Sequence, residues 1–147
     1  MKKIRLIIIS AFILSISNFA KADLNNSLKK YLDEKDLDKA STQIYLLKRC
    51  SAVYAYASGI VLKSDAVSSK NFIEVSNNLL FKSVELMVID ENKKLEEAQT
   101  EAEETRKELF SNYIADGKKN WEKNKSHFKG SYISEDMAIC SKLTEEN

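Results

Sequence analysis

Apolar residues recur along this chain at spacings of three and four, and no segment alternates apolar and polar positions for long enough to predict a strand. The strongest run spans residues 42–62. There Ile44, Leu47, Cys50, Tyr54, Ala57 and Val61 form one stripe that Leu46, Val53 and Ile60 broaden, which predicts the most deeply buried helix of the fold. Gln43, Lys48 and Arg49 fall largely off that stripe. The small residues Ala52, Ala55, Ala57, Ser58 and Gly59 either fill space or let another helix approach closely. A glycine in a helix interior costs ~1 kcal/mol relative to alanine, so Gly59 is expected to have a packing reason.

Upstream, Ser27 can cap a short helix carrying Leu28 and Leu32, and a phase shift over residues 33–38 predicts a bend. Downstream, residues 64–69 read as a turn, with Ser68 or Ser69 as N-cap of a helix whose face is Phe72, Val75, Leu79, Leu86 and Ile89. From residue 90 to about 113 the stripe narrows to Leu95, Ala98, Ala102, Thr105 and Leu109, with glutamates between. Such a seam belongs to a long helix that is solvated over most of its surface, or to a weak coiled coil. Gly117 is placed to end or loosen this helix, and Gly130 is the better stop. Ser131 or Ser134 can then cap a last helix on which Ile133, Met137, Cys140 and Leu143 share a stripe. The fold expected is all-α: a small up-and-down helical bundle with one long solvated helix. The absence of proline agrees with it.

The first 22 residues have a different character. A basic start (Lys2, Lys3, Arg5) precedes an apolar run from Leu6 to Ile16, and Ala20-Lys21-Ala22 supplies small residues at an A-x-A spacing. This is the layout of a secretory signal peptide. Cleavage after Ala22 leaves residues 23–147 as a single helical domain, since the apolar run is shorter than the ~20 residues a bilayer crossing needs. The address expected is periplasmic. The alternatives are a secreted protein or one anchored to the inner membrane by an uncleaved signal.

Export changes both the charge and the meaning of the cysteines. The full chain carries +1, but loss of Lys2, Lys3, Arg5 and Lys21 leaves 19 basic against 22 acidic residues, or −3. A net-acidic chain argues against a dedicated nucleic-acid binder. Cys50 and Cys140 both lie in the exported part, and an even pair in an oxidising compartment is most simply a disulfide. Charge is also segregated. Residues 90–108 hold eight acidic against four basic side chains, whereas residues 117–130 hold Lys118, Lys119, Lys123, Lys125 and Lys129 against Glu122 alone. Both stretches can be solvated helix faces, or together they can form an electrostatic contact surface.

No pattern of catalytic, metal or cofactor residues stands out. His127 is the sole histidine, and neither a zinc site, a haem attachment motif nor a Ser-His-Asp assembly has partners at the required spacing. Asp33, Asp36 and Asp38 lack the glycine of a calcium loop. What does concentrate is aromatic side chains interleaved with lysines: Phe110, Tyr113, Trp121, Phe128 and Tyr132, with His127 among them. They form either a satellite core or a contact surface for a partner.

The function expected is therefore that of a non-enzymatic binding or accessory factor of the cell envelope: an adaptor, inhibitor or chaperone-like protein. It needs no cofactor, and its expected partner is another envelope protein. Two alternatives belong to other classes. One is an enzyme or cofactor carrier whose site assembles only in the fold. The other is a self-associating envelope protein that uses the 95–109 seam.

Overall fold

In the computed structural model, which describes residues 27–145, the chain forms five helices in an all-α bundle. The proposed signal peptide and its cleavage site lie outside the described residues. The helices are α1 (Leu28–Asp33), α2 (Ala40–Val61), α3 (Ala66–Ile89), α4 (Leu95–Asn124) and α5 (Tyr132–Glu145). α2 and α3 are antiparallel, as their serine pairs show. Ser51 Oγ meets Ser76 Oγ at 3.2 Å, and Ser58 Oγ meets Ser69 Oγ at 3.0 Å. α4 returns along α3 in the opposite sense, where Arg106 donates to Asn77 at 3.0 Å. α5 then reverses direction against α4, with Tyr132 beside Asp116 and Asp136 beside Tyr113.

Local chemistry sets the boundaries. Ser27 Oγ accepts from the Lys30 N–H at 3.3 Å and starts α1. α3 is capped by Asp65 rather than by a serine: its carboxylate accepts from the Ser68 N–H at 2.9 Å and from the Ser68 hydroxyl. These bonds hold the Asp65 carboxyl below its usual value, and a negative cap also suits the positive end of the helix. α4 runs unbroken through Gly117 for 30 residues and ends where Lys125 turns left-handed at φ 54°. Gly130, at φ 83°, lies in the following loop.

Neither helical glycine has the role expected of it. A Cβ on Gly59 would meet nothing within 4 Å, so no neighbour requires glycine there. A Cβ on Gly117 would fall 1.8 Å from the Tyr56 hydroxyl, so glycine admits that ring against the α4 backbone. Small residues of α2 do permit close packing: Ser51 and Ser58 meet the serines of α3, and Ala52 is fully buried.

Two apolar clusters result. The larger gathers Leu28, Cys50, Val53, Leu79, Leu109, Tyr113, Ile133 and Cys140; the smaller gathers Ile44, Leu80, Val84, Met87, Ala98 and Ala102. Ala98, Ala102 and Leu109 are thus consumed within the chain, so the 95–109 seam is an intramolecular contact except at Leu95, which is 57% exposed. Cys50 and Cys140 form a disulfide that joins α2 to α5 across 90 positions.

Candidate binding surface

Beside the disulfide lies a buried polar knot. Arg49, expected off the buried stripe, is 1% exposed, and Asp136 is 0% exposed. Arg49 donates from Nε and Nη2 to Asp136 Oδ2 at 2.9 and 2.7 Å, and from Nη1 to the Tyr45 hydroxyl at 2.9 Å. The Tyr113 hydroxyl donates to the same Oδ2 at 2.7 Å, while Oδ1 accepts the Leu28 backbone N–H at 2.7 Å. Burial opposes charge on Arg49, but Tyr113, Asp136 and Tyr45 outweigh it and hold the guanidinium above its ordinary pKa. Burial raises the Tyr113 phenol well above its usual value. Every polar atom here has a partner, as a charge pair in a low-dielectric interior requires. The knot ties α1, α2, α4 and α5 together and is sealed from solvent. Its role is structural.

From the knot a chain of rings leads outward. Arg49 lies 5.9 Å from the Tyr113 ring centre and 5.8 Å from that of Tyr132. Tyr56 stacks on Tyr113 at 6.0 Å and contacts Phe128 at 5.6 Å, and its hydroxyl meets His127 Nδ1 at 3.2 Å. Burial pushes the Tyr56 phenol up to about 12. His127 in turn stacks on Trp121 at 4.9 Å, with ring planes 21° apart. Trp121 is the outermost ring, 47% exposed.

The turn after α4 holds this arrangement in place. Asn120, itself buried, donates from Nδ2 to the carbonyls of Ser126 and Lys129 at 2.7 and 3.0 Å. Asn124 donates to Asn120 Oδ1 at 2.6 Å, and Ser126 Oγ accepts from the N–H groups of Phe128 and Lys129. These bonds fold residues 125–131 back so that His127 and Phe128 face Tyr56. The exposed lysines of the end of α4 and of the turn after it are Lys118, Lys119, Lys123, Lys125 and Lys129. The result is a hydrogen-bonded aromatic corner in a lysine-rich segment, suited to an apolar group bearing negative charge nearby.

The six residues singled out from the sequence therefore divide by depth. Tyr113 is 2% exposed and belongs to the core. Phe110, His127, Phe128 and Tyr132 are half-buried. Phe110 stands apart from the corner and lines a groove of about 400 Å³ with Ala55, Ile73, Asn77, Glu103, Arg106 and Lys107. Tyr132 faces inward and donates to Asp116 at 2.8 Å. Of these six, Trp121 is the side chain most available to a partner.

Sequence reasoning missed the Arg49–Asp136 pair, although a signal for it exists. Asp136 lies three positions after Ile133 and four before Cys140, on the apolar stripe of α5, and Arg49 directly precedes Cys50. Among the described residues no group of three or more His, Cys, Asp or Glu could hold a metal ion, and no helix is long and apolar enough to cross a membrane. In comparisons with protein-family models, with curated proteins and with solved structures, nothing matches this chain.

Proposed function

We propose that this is an exported, periplasmic binding protein of the cell envelope that works as an adaptor, inhibitor or chaperone-like factor rather than by catalysis. The observation that carries the reading is Trp121: a large aromatic held nearly half exposed in the last turns of α4, stacked on His127, in a segment rich in exposed lysines. Exposed tryptophans on preorganised scaffolds are the residues most enriched at binding hot spots, because little entropy is lost when they are covered. The signal-like residues 1–22 and the disulfide support an oxidising compartment outside the cytoplasm. A partner of matching chemistry presents an apolar group flanked by carboxylates.

A photo-reactive amino acid placed at position 121 tests this in intact cells. The reading expects a defined protein adduct from the envelope fraction that a probe at exposed Lys82 on α3 does not form. Equal yields at both positions, or a chain retained in the cytoplasm, would refute it. Trp121→Ala should weaken the partner while leaving helix content and melting temperature unchanged.

A further inference from the structure

The partner class can be narrowed from the outer face of α4, an inference that rests on the proposed binding role. At 3.6 residues per turn, Glu96, Glu103, Phe110, Ile114, Lys118 and Lys125 share one face of α4, turned away from the buried Ala98, Ala102, Leu109 and Tyr113. Ile114 is 48% exposed in the middle of that face, and Phe110, one turn before it, sits half-buried at the face's edge, where it packs against the core and lines the groove with Ala55 and Ile73. The face is therefore acidic at one end, apolar at its centre and basic at the other.

The helix dipole explains only part of this layout. It favours acids in the first turn and bases in the last, and its effect fades beyond them. Glu96 and Lys123 are placed for it, but Glu103 and Lys118 stand more than a turn inside a helix that runs from Leu95 to Asn124. Their order has a second consequence. In an antiparallel pairing of two α4 helices about a two-fold axis next to Phe110, Glu103, which already pairs with Arg106 of its own helix at 2.7 Å, also faces Lys118 of the second copy, and Glu96 faces its Lys125. Lys107 then lays its aliphatic stem beside the second copy's Ile114, and the two Phe110 side chains meet near the axis. The two-fold makes each of these contacts twice. A parallel pairing would instead set glutamate on glutamate and lysine on lysine. A 30-residue helix is about 45 Å long, enough to align all of these positions at once.

We infer that the partner for this face is a second copy of the chain, bound antiparallel along α4 with Phe110 and Ile114 at the centre. Trp121 and the turn after it then lie at each end of the contact.

Sedimentation equilibrium on the intact, oxidised protein tests the inference. The wild type should dimerise with concentration, and more weakly as salt rises. Glu103→Lys and Lys118→Glu should each weaken association at least about tenfold by setting like charges opposite one another. The double swap should restore it, and Ile114→Lys should abolish it. All three residues are exposed, so circular dichroism should show an unchanged fold. A chain that stays monomeric, or a dimer indifferent to the swaps, overturns the inference. If that monomer still cross-links a different envelope protein from position 121, self-pairing alone falls; if it cross-links nothing, the binding reading falls with it.

Discussion

Arg49 and Asp136 meet at 2.7 Å with side chains 1% and 0% exposed, one residue and four residues from the two cysteines of the disulfide. α2 and α5 are thus joined twice at one level of the bundle, once covalently and once by charge. Asp136 also receives the Leu28 N–H, so the first turn of α1 hangs on the same carboxylate. Removing one member of a buried pair leaves the other uncompensated. Arg49→Met should destabilise the domain by ~3–5 kcal/mol in urea unfolding. The double variant Arg49→Met with Asp136→Leu should lose less than Asp136→Leu alone, because both charges leave the interior together, while the Leu28 N–H and the Tyr113 hydroxyl still lose their acceptor.

Reduction should act on the same joint. Closing about 90 residues lowers the entropy of the unfolded chain, worth on the order of 4–5 kcal/mol in the loop-closure model. Domains of this size have a total stability of roughly 5–15 kcal/mol. Cys50→Ser with Cys140→Ser should therefore lower the unfolding midpoint steeply, and reductant should have no effect on that variant.

The two helical glycines predict opposite outcomes from one substitution. Gly59→Ala places a methyl in open space and should stabilise α2 by up to ~1 kcal/mol. Gly117→Ala drives a methyl into the Tyr56 hydroxyl and should destabilise by ~1–3 kcal/mol despite the better helix former. Thermal unfolding of the two variants decides both.

Stability should fall at high pH for a stated reason. The phenol of Tyr56 is raised by burial from 10.0 to about 12, and those of Tyr113 and Tyr132 are also raised. A raised folded pKa means the contribution is complete below the ordinary value and is lost as pH climbs from 10 towards 12. Tyr56→Phe should flatten this alkaline limb, read by helix content against phenolate absorbance. On the acid side, burial pushes Glu101 up, but Lys93 and Lys48 outweigh it and hold its pKa below the ordinary 4.5. Its contribution is thus present above that value and lost as pH falls through the lowered one, so Glu101→Gln should blunt the acid limb.

How much of this was legible in the sequence depends on whether a period or a neighbour decides the outcome. Periodicity marks α2, α3 and α5, because burial of Ile44, Leu79 and Ile133 follows directly from spacing. Ser27 was readable as a cap, whereas Asp65 competed with nearby serines and won by accepting two hydrogen bonds. The roles of Gly59 and Gly117 depend on where Tyr56 points, which no spacing shows. Lys48 and Arg49 both look like surface residues, yet both are buried: Lys48 pairs with Glu101 at 2.9 Å, and Arg49 is neutralised by Asp136, 87 positions later. The aromatic-lysine stretch was visible as a cluster, but its division into buried Tyr113 and exposed Trp121 required the turn that Asn120 builds.

Native mass spectrometry on the protein isolated from its own cell envelope, with and without reductant, tests the central claim most directly. The account predicts a chain that begins at Asp23, weighs two hydrogens less than the dithiol form and carries a second polypeptide, lost on Trp121→Ala. A bare chain with residues 1–22 still attached, two free thiols and no bound protein would contradict it.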